Sequence, residues 1–197
     1  MKSVLISIKP KWCELIASGE KLVEVRKTKP KLETPFKCYI YETQGRTETP
    51  WVDEEGHEIF KGRGKVIGEF VCDQIDEIGY SPEMHGKYIS DVDDIHYVSC
   101  VDFEQMFDYL ADGYGYAWHI TDLVIYDMPR ALRGFYHYCG DNPNCDGCEL
   151  LYYSNTECGK EEFCCSNMYG CKPLKRPPQS WCYVVEEVED EQRETDL

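Results

Sequence analysis

With 197 residues, 42 % of them hydrophobic and 13 % aromatic, the chain can form one packed core with elaborations and is too apolar for general disorder. No apolar run approaches the ~20 residues that span a bilayer. The opening MKSVLISIKPKWCE is broken by Lys9 and lacks a small-residue cleavage site, so it predicts a strand, no membrane partner and a cytoplasmic protein. The net charge of −16 argues against a polyanion-binding surface overall, but the charge is uneven. Residues 1–40 carry nine Lys/Arg against four Asp/Glu, whereas residues 72–112 carry eleven acids and one Lys. Local fields, not net charge, steer an anionic ligand.

In chain order, KSVLISI alternates Val4, Ile6 and Ile8 and predicts a strand. Pro10 suits a first helical turn, Trp12, Leu15 and Ile16 recur at helical spacing, and Gly19 falls where a C-cap favours positive φ. Residues 10–18 therefore read as a short helix. Lys21 to Arg26 begin a second strand, KCYIYET (37–43) is a third and GKVIGEFVCDQI (64–75) a fourth. A polar hairpin insertion, 44–62, separates the last two. DFEQMFDYLADG (102–113) has apolar residues at 103, 106, 107 and 110 and predicts a helix stopped by Gly113. YAWHITDLVIYD (116–127) reads as one long strand ending at Pro129, and PPQSWCYVVEE (177–187) as the closing strand. A Cys-rich insertion, 139–172, precedes that strand, and the acidic tail 188–197 is expected to be disordered. This order predicts a single α+β domain over 1–187: a small mixed β-barrel with a short helix after the first strand.

Chemistry concentrates first in SGEKLVEVRK, residues 18–27. Strand alternation puts Glu24 and Arg26 on one face and Val23 and Val25 on the other. Glu69 alternates with Ile67 and Val71, and a carboxylate among aliphatics has a raised pKa unless a cation meets it. Lys21 or Arg26 is the expected cation. A Glu69–Arg26 ion pair that merely fixes the barrel is the alternative.

The motif Gly19-x-Lys21-x-x-Glu24-x-Arg26 resembles that of ASCH domains, of the PUA-like superfamily. The blocks SIKPKW, GKVIGEF, GYAWHITDLVIYDMP and RPPQSWCYVVEE extend the resemblance to most of the chain outside 44–62, 80–100 and 139–172. Such proteins are common in bacterial and phage genomes. The resemblance implies a PUA-like barrel with a cleft beside the first helix that binds RNA or nucleotides. Some small members act as amidohydrolases on acetylated cytidine, and others are linked to RNA cleavage. In the amidohydrolases a turn Lys, a Thr three residues later and a strand Glu do the work. Lys21 matches the Lys and Glu69 the strand Glu, but Glu24 stands at the Thr position, and a carboxylate does not replace a hydroxyl nucleophile. The expectation is an RNA- or nucleotide-binding module with Lys9, Lys11, Lys21, Glu24, Arg26 and His119 at the ligand. A hydrolase on a modified nucleoside or RNA, with Lys21, Glu24 and Glu69 catalytic, is the alternative, and a non-catalytic interaction module is the third. Trp12, Tyr41 and Trp118 are the aromatic candidates for stacking bases. Trp12 shares its helical stripe with Leu15 and Ile16, however, and Trp118 alternates with Tyr116 and Ile120, which favours the core for both.

Seven of the twelve cysteines (Cys139, Cys145, Cys148, Cys158, Cys164, Cys165 and Cys171) fall within the insertion. Disulfides do not persist in a reducing compartment, so the cluster favours metal. Cys145-Asp-Gly-Cys148 has zinc-knuckle spacing, and Cys165 with Cys171 is the favoured second pair, with Cys158 and Cys164 open as substitutes. Four thiolates would close the shell of a structural zinc. Cys13, Cys38, Cys72 and Cys182 lie in helix or strands and read as small buried residues.

Overall fold

The computed structural model describes residues 2–44, 51–52, 58–59, 62–81, 87–90, 94–111, 113–137 and 173–186. The fold is α+β and mostly β. Strand β1 (Ser3–Ile8) leads into helix α1 (Pro10–Ala17), which starts on Pro10 as the missing N–H of proline allows. Gly19, at φ +77°, ends the helix, and the N–H groups of Glu20 and Lys21 both turn back to the Leu15 carbonyl. That cap tucks Lys21 beneath the helix before β2 (Val23–Arg26) begins.

Six strands pair in the order β10-β6-β3-β1-β12-β11: β10 is Thr121–Arg130, β6 Lys65–Cys72, β3 Phe36–Glu42, β12 Trp181–Glu186 and β11 Phe135–His137. The β1–β3 pair is parallel, as a helical crossover requires, and the other pairs are antiparallel. A second sheet has the order β2-β9-β7-β8, with β9 at Tyr114–His119, β7 at Ile75–Ser81 and β8 at Lys87–Ser90. The short strands β4 (Trp51–Val52) and β5 (Glu58–Ile59) pair with each other.

Two sequence expectations change. The long strand 116–127 is two strands in different sheets, because the chain turns at Ile120 and Asp122 takes φ +47°. Pro129 does not end β10. It is tolerated because β10 is an edge strand, where a missing N–H costs no ladder bond. Among the described residues the strands pair into these sheets without closing a ring of hydrogen-bonded strands, so the α+β fold is as expected and the barrel stays an expectation. Residues 94–111 also hold a helix that periodicity missed, α2 (Ile95–Ser99), before α3 (Phe103–Leu110). A five-residue helix is too short to show a period.

The core lies in layers. Val4, Ile6 and Ile8 of β1, Cys38 and Ile40 of β3 and Phe70 and Cys72 of β6 pack with Cys13 and Ile16 of α1 and with Trp118 of β9. This cluster fills the space between the sheets. The opposite face of the six-stranded sheet carries Leu5, Tyr39, Tyr41, Val66, Phe135 and Val184. The opposite face of the four-stranded sheet packs Val23, Val25, Ile78 and Ala117 against Ile95, Met106 and Leu110 of the helices. Burial pushes the thiol of Cys72 up to about 12 and that of Cys182 to about 11, so both stay protonated and unreactive. Among the described residues no helix is long and apolar enough to cross a membrane.

Candidate functional site

Strand β2 is buried on both faces. Its valines enter the cluster under the helices, and Glu24 and Arg26 point into the space between the sheets, beside Trp118. In register, Glu24 faces Trp118 and Arg26 faces Tyr116, so Arg26 and Trp118 are diagonal neighbours on one face. Gly115, on the opposite, helix-covered face of β9, makes room for α3: a Cβ there would stand 2.6 Å from the Leu110 side chain and 3.1 Å from the Arg26 carbonyl oxygen.

Three charges meet there. Lys21 Nζ lies 3.3 Å from Glu24 Oε2, and Arg26 Nη2 lies 3.1 Å from Glu24 Oε1, with side-chain exposures of 1 %, 7 % and 9 % for Lys21, Glu24 and Arg26. Lys21 Nζ also donates to the Ser99 carbonyl at 2.5 Å, where α2 ends, and Arg26 Nη2 to the Ser7 carbonyl at 2.6 Å on β1. One carboxylate thus serves two buried cations, which leaves the triad with one positive charge in excess. Two donors in the same space have no acceptor among the described residues, Arg26 Nε and Trp118 Nε1. Trp12 adds a half-buried ring, with Lys21 Nζ 5.1 Å and Lys11 Nζ 4.7 Å from its centroid. Lys9 is exposed at the start of α1, its carbonyl accepting from Trp12 and Cys13. Cys13 feels Glu42, Glu24, Arg26 and Arg63, and desolvation together with the two acids holds its thiol far above the ordinary value. Glu42, buried at the end of β3, accepts from the Arg63 N–H at 2.8 Å.

Lys21, Glu24 and Arg26 are therefore brought together, with Lys11 linked through Trp12. Glu69 and His119 are not. Glu69 pairs in register with Tyr39 while its neighbour Phe70 enters the inter-sheet cluster, so Glu69 faces outward on the six-stranded sheet. Its cation is Lys37, at 2.8 Å, in place of Lys21 or Arg26, and Tyr126 Oη donates to its other oxygen at 2.5 Å. Burial pushes the Glu69 carboxyl up, but the bonds from Lys37 and Tyr126 outweigh it, so it lies below the ordinary 4.5. His119, opposite Val23 in register, shares the helix-covered face with Ala117, and its Nε2 pairs with Asp76 at 2.6 Å while Gln74 holds the second Asp76 oxygen at 2.7 Å. The seven insertion cysteines, the proposed ligands Cys145, Cys148, Cys165 and Cys171 among them, lie outside the described residues. Among the described residues no group of three His, Cys, Asp or Glu is placed to hold a metal.

Sequence reasoning missed Ser99, Glu42 and Lys37. Ser99 contributes a backbone carbonyl, which no residue pattern reveals. Glu42 carried a readable signal, an acid closing the apolar run YIYE.

No protein-family model and no curated protein matches the sequence. Among solved structures the fold is similar to that of ASCH from Zymomonas mobilis, with a TM-score of 0.46 and 21 % identity over 66 % of this chain and 73 % of that one. A Tyr-to-Phe mutant of the same protein gives 0.46 and 21 % over 67 % and 77 %, and a Ser-to-Ala mutant 0.44 and 21 % over 66 % and 74 %. Over about two thirds of its length the chain is thus similar in fold to ASCH domain structures.

Proposed function

We propose that the chain is a cytoplasmic RNA- or nucleotide-binding module whose ligand meets the Lys21–Glu24–Arg26 triad beside α1. The observation that carries this reading is the pair of buried donors, Arg26 Nε and Trp118 Nε1, next to a triad with one excess positive charge. A buried donor left unpaired costs about 1–3 kcal/mol, so such groups signal a missing acceptor. Phosphate oxygens and base carbonyls are acceptors, and the former also supply the negative charge. Trp12, with Lys11 over its ring, offers an aromatic surface and a cation at the rim. The hydrolase alternative loses its Lys21–Glu69 pairing, because Glu69 is bonded to Lys37 and Tyr126 on the outer face.

The test is titration of the purified protein with single-stranded RNA, nucleotides and modified nucleosides at several salt concentrations. Binding should weaken as salt rises, through counterion release. Arg26→Lys keeps the charge but removes Nε and the planar fork, and should weaken binding about tenfold with the fold retained. No binding to any member of the panel would refute the reading.

We also propose that Cys145, Cys148, Cys165 and Cys171 hold one structural zinc in the 139–172 insertion. The Cys-x-x-Cys spacing and the density of cysteines support it. Metal analysis of protein purified without added zinc should find about one equivalent. Metal-free protein whose thiols all titrate as free would exclude it.

A further inference from the structure

The segment between β2 and β3, Lys27-Thr28-Lys29-Pro30-Lys31, is absorbed by neither the triad nor the outer-face cluster. It crosses from one sheet to the other and is pinned at three points. Trp181 Nε1 donates to Thr28 Oγ1 at 3.0 Å, the Lys31 N–H donates to Tyr183 Oη at 2.7 Å, and Pro30 is buried between them. The pins fix the backbone and leave Lys27, Lys29 and Lys31 exposed at alternate positions. Three exposed ammonium groups are thus carried on five residues of pinned backbone.

Aromatic rings accompany these lysines. Lys27 Nζ lies 5.5 Å from the Tyr109 centroid, Lys29 Nζ 4.8 Å from that of Tyr116, and Lys2 Nζ 3.9 Å from that of Tyr183. Tyr183 meets Trp181 at 5.4 Å, and Trp181 meets Trp118 at 5.9 Å. The rings therefore run without a break from the lysine row to Trp118, whose Nε1 is one of the two unpaired donors of the triad site. The one acidic partner on the row among the described residues, Glu77 with Lys29 at 3.2 Å, is an exposed pair that a phosphate can displace.

We infer that the 27–31 segment, with Tyr183 and Trp181, is a track along which a single-stranded RNA leaves the triad site. The phosphates follow the lysine row, and the bases lie against the rings of β12. Rings and cations in alternation suit a single strand because its bases can be splayed onto the rings, whereas a duplex keeps its bases stacked and offers phosphates and 2′-hydroxyls. This inference rests on the RNA reading above and adds a second contact surface to it.

The test compares four proteins: the full chain, Lys27→Gln/Lys29→Gln/Lys31→Gln, Tyr183→Leu and Arg26→Lys. Each is titrated with a single-stranded RNA of mixed sequence and with a duplex RNA over a range of salt. Losing three phosphate contacts should flatten the slope of log affinity against log salt by about 2 for the single strand. Tyr183→Leu removes the ring together with its hydroxyl pin on Lys31 and should weaken single-strand binding about tenfold. The replaced lysines are exposed, and circular dichroism with thermal melting verifies that the fold is kept. If Arg26→Lys weakens binding while the triple variant and Tyr183→Leu match the parent, the track is refuted and the RNA reading stands. If the triple variant loses duplex and single-strand affinity equally and Tyr183→Leu has no effect, the surface is a general phosphate patch and the single-strand assignment is refuted. If the parent binds no RNA, the RNA reading itself has failed.

Discussion

Glu24 and Glu69 each sit among apolar neighbours in a short strand, and each is met by a lysine. Their surroundings differ in kind. Glu24 lies between the sheets, bridges two cations and keeps 7 % of its side-chain exposure; Glu69 lies on the outer face with 21 %, beside a Lys37 that is 41 % exposed. In the first case water has been removed from all three charges, so the pairing is obligatory. In the second, solvent screens the pair and either group can be lost cheaply. The same residue types at similar spacing thus give a buried electrostatic assembly in one strand and a solvent-tempered one in the other.

Removing the shared carboxylate is the hardest blow to this contrast. Glu24→Gln leaves Lys21 and Arg26 facing each other without a counter-charge, and should lower unfolding free energy by about 3–5 kcal/mol in urea titration. Lys21→Met sharpens it. The surviving Glu24–Arg26 pair is neutral overall, so the loss should be smaller than for Glu24→Gln, about 1.5–3 kcal/mol from the charged hydrogen bonds to Ser99 and Glu24. The opposite order would mean that the excess charge of the triad is already compensated.

Glu69→Gln should cost the least, about 1 kcal/mol. Its signature is in the pH dependence. Because the folded-state value of Glu69 lies below the ordinary 4.5, the unfolded chain takes up its proton first as pH falls. Its stabilising contribution is complete above the unfolded value and is lost as pH falls through the folded one. Unfolding measured from neutral to acidic pH should therefore show a shallower acid decline in Glu69→Gln than in the parent. An unchanged decline would remove Glu69 from the account.

The local elements were largely readable. The Val4-Ile6-Ile8 alternation marked β1, Pro10 and Gly19 bounded α1 within a residue or two, and the Val23/Glu24 alternation assigned β2's two faces correctly. That both faces would be buried was not readable. The period-2 rule reports which residues share a face, while depth depends on what the rest of the chain brings to it. The separation of Glu69 from Lys21 was hidden for the same reason: register within β6 is local, but which face of β6 meets α1 is a property of the whole sheet. The break at Asp122 carried no glycine to announce its positive φ, so β9 and β10 read as one strand.

Strand β1 sits in the middle of the larger sheet, with β3 on one side and β12 on the other, and Ser3 stands opposite Val184. The first strand described is thus completed by the last. During synthesis, one edge of β1 stays open until residues 181–186 have emerged, and those follow the whole Cys-rich stretch. Joining the two ends is a late, long-range step, but its entropic cost rises only with the logarithm of the intervening length. The inserted stretch can therefore be long without making the sheet much harder to close. A chain cut short between Glu42 and Trp181 would keep the β3 pairing of β1 and still present a buried-type apolar strand as a bare edge, the state most open to pairing with another molecule.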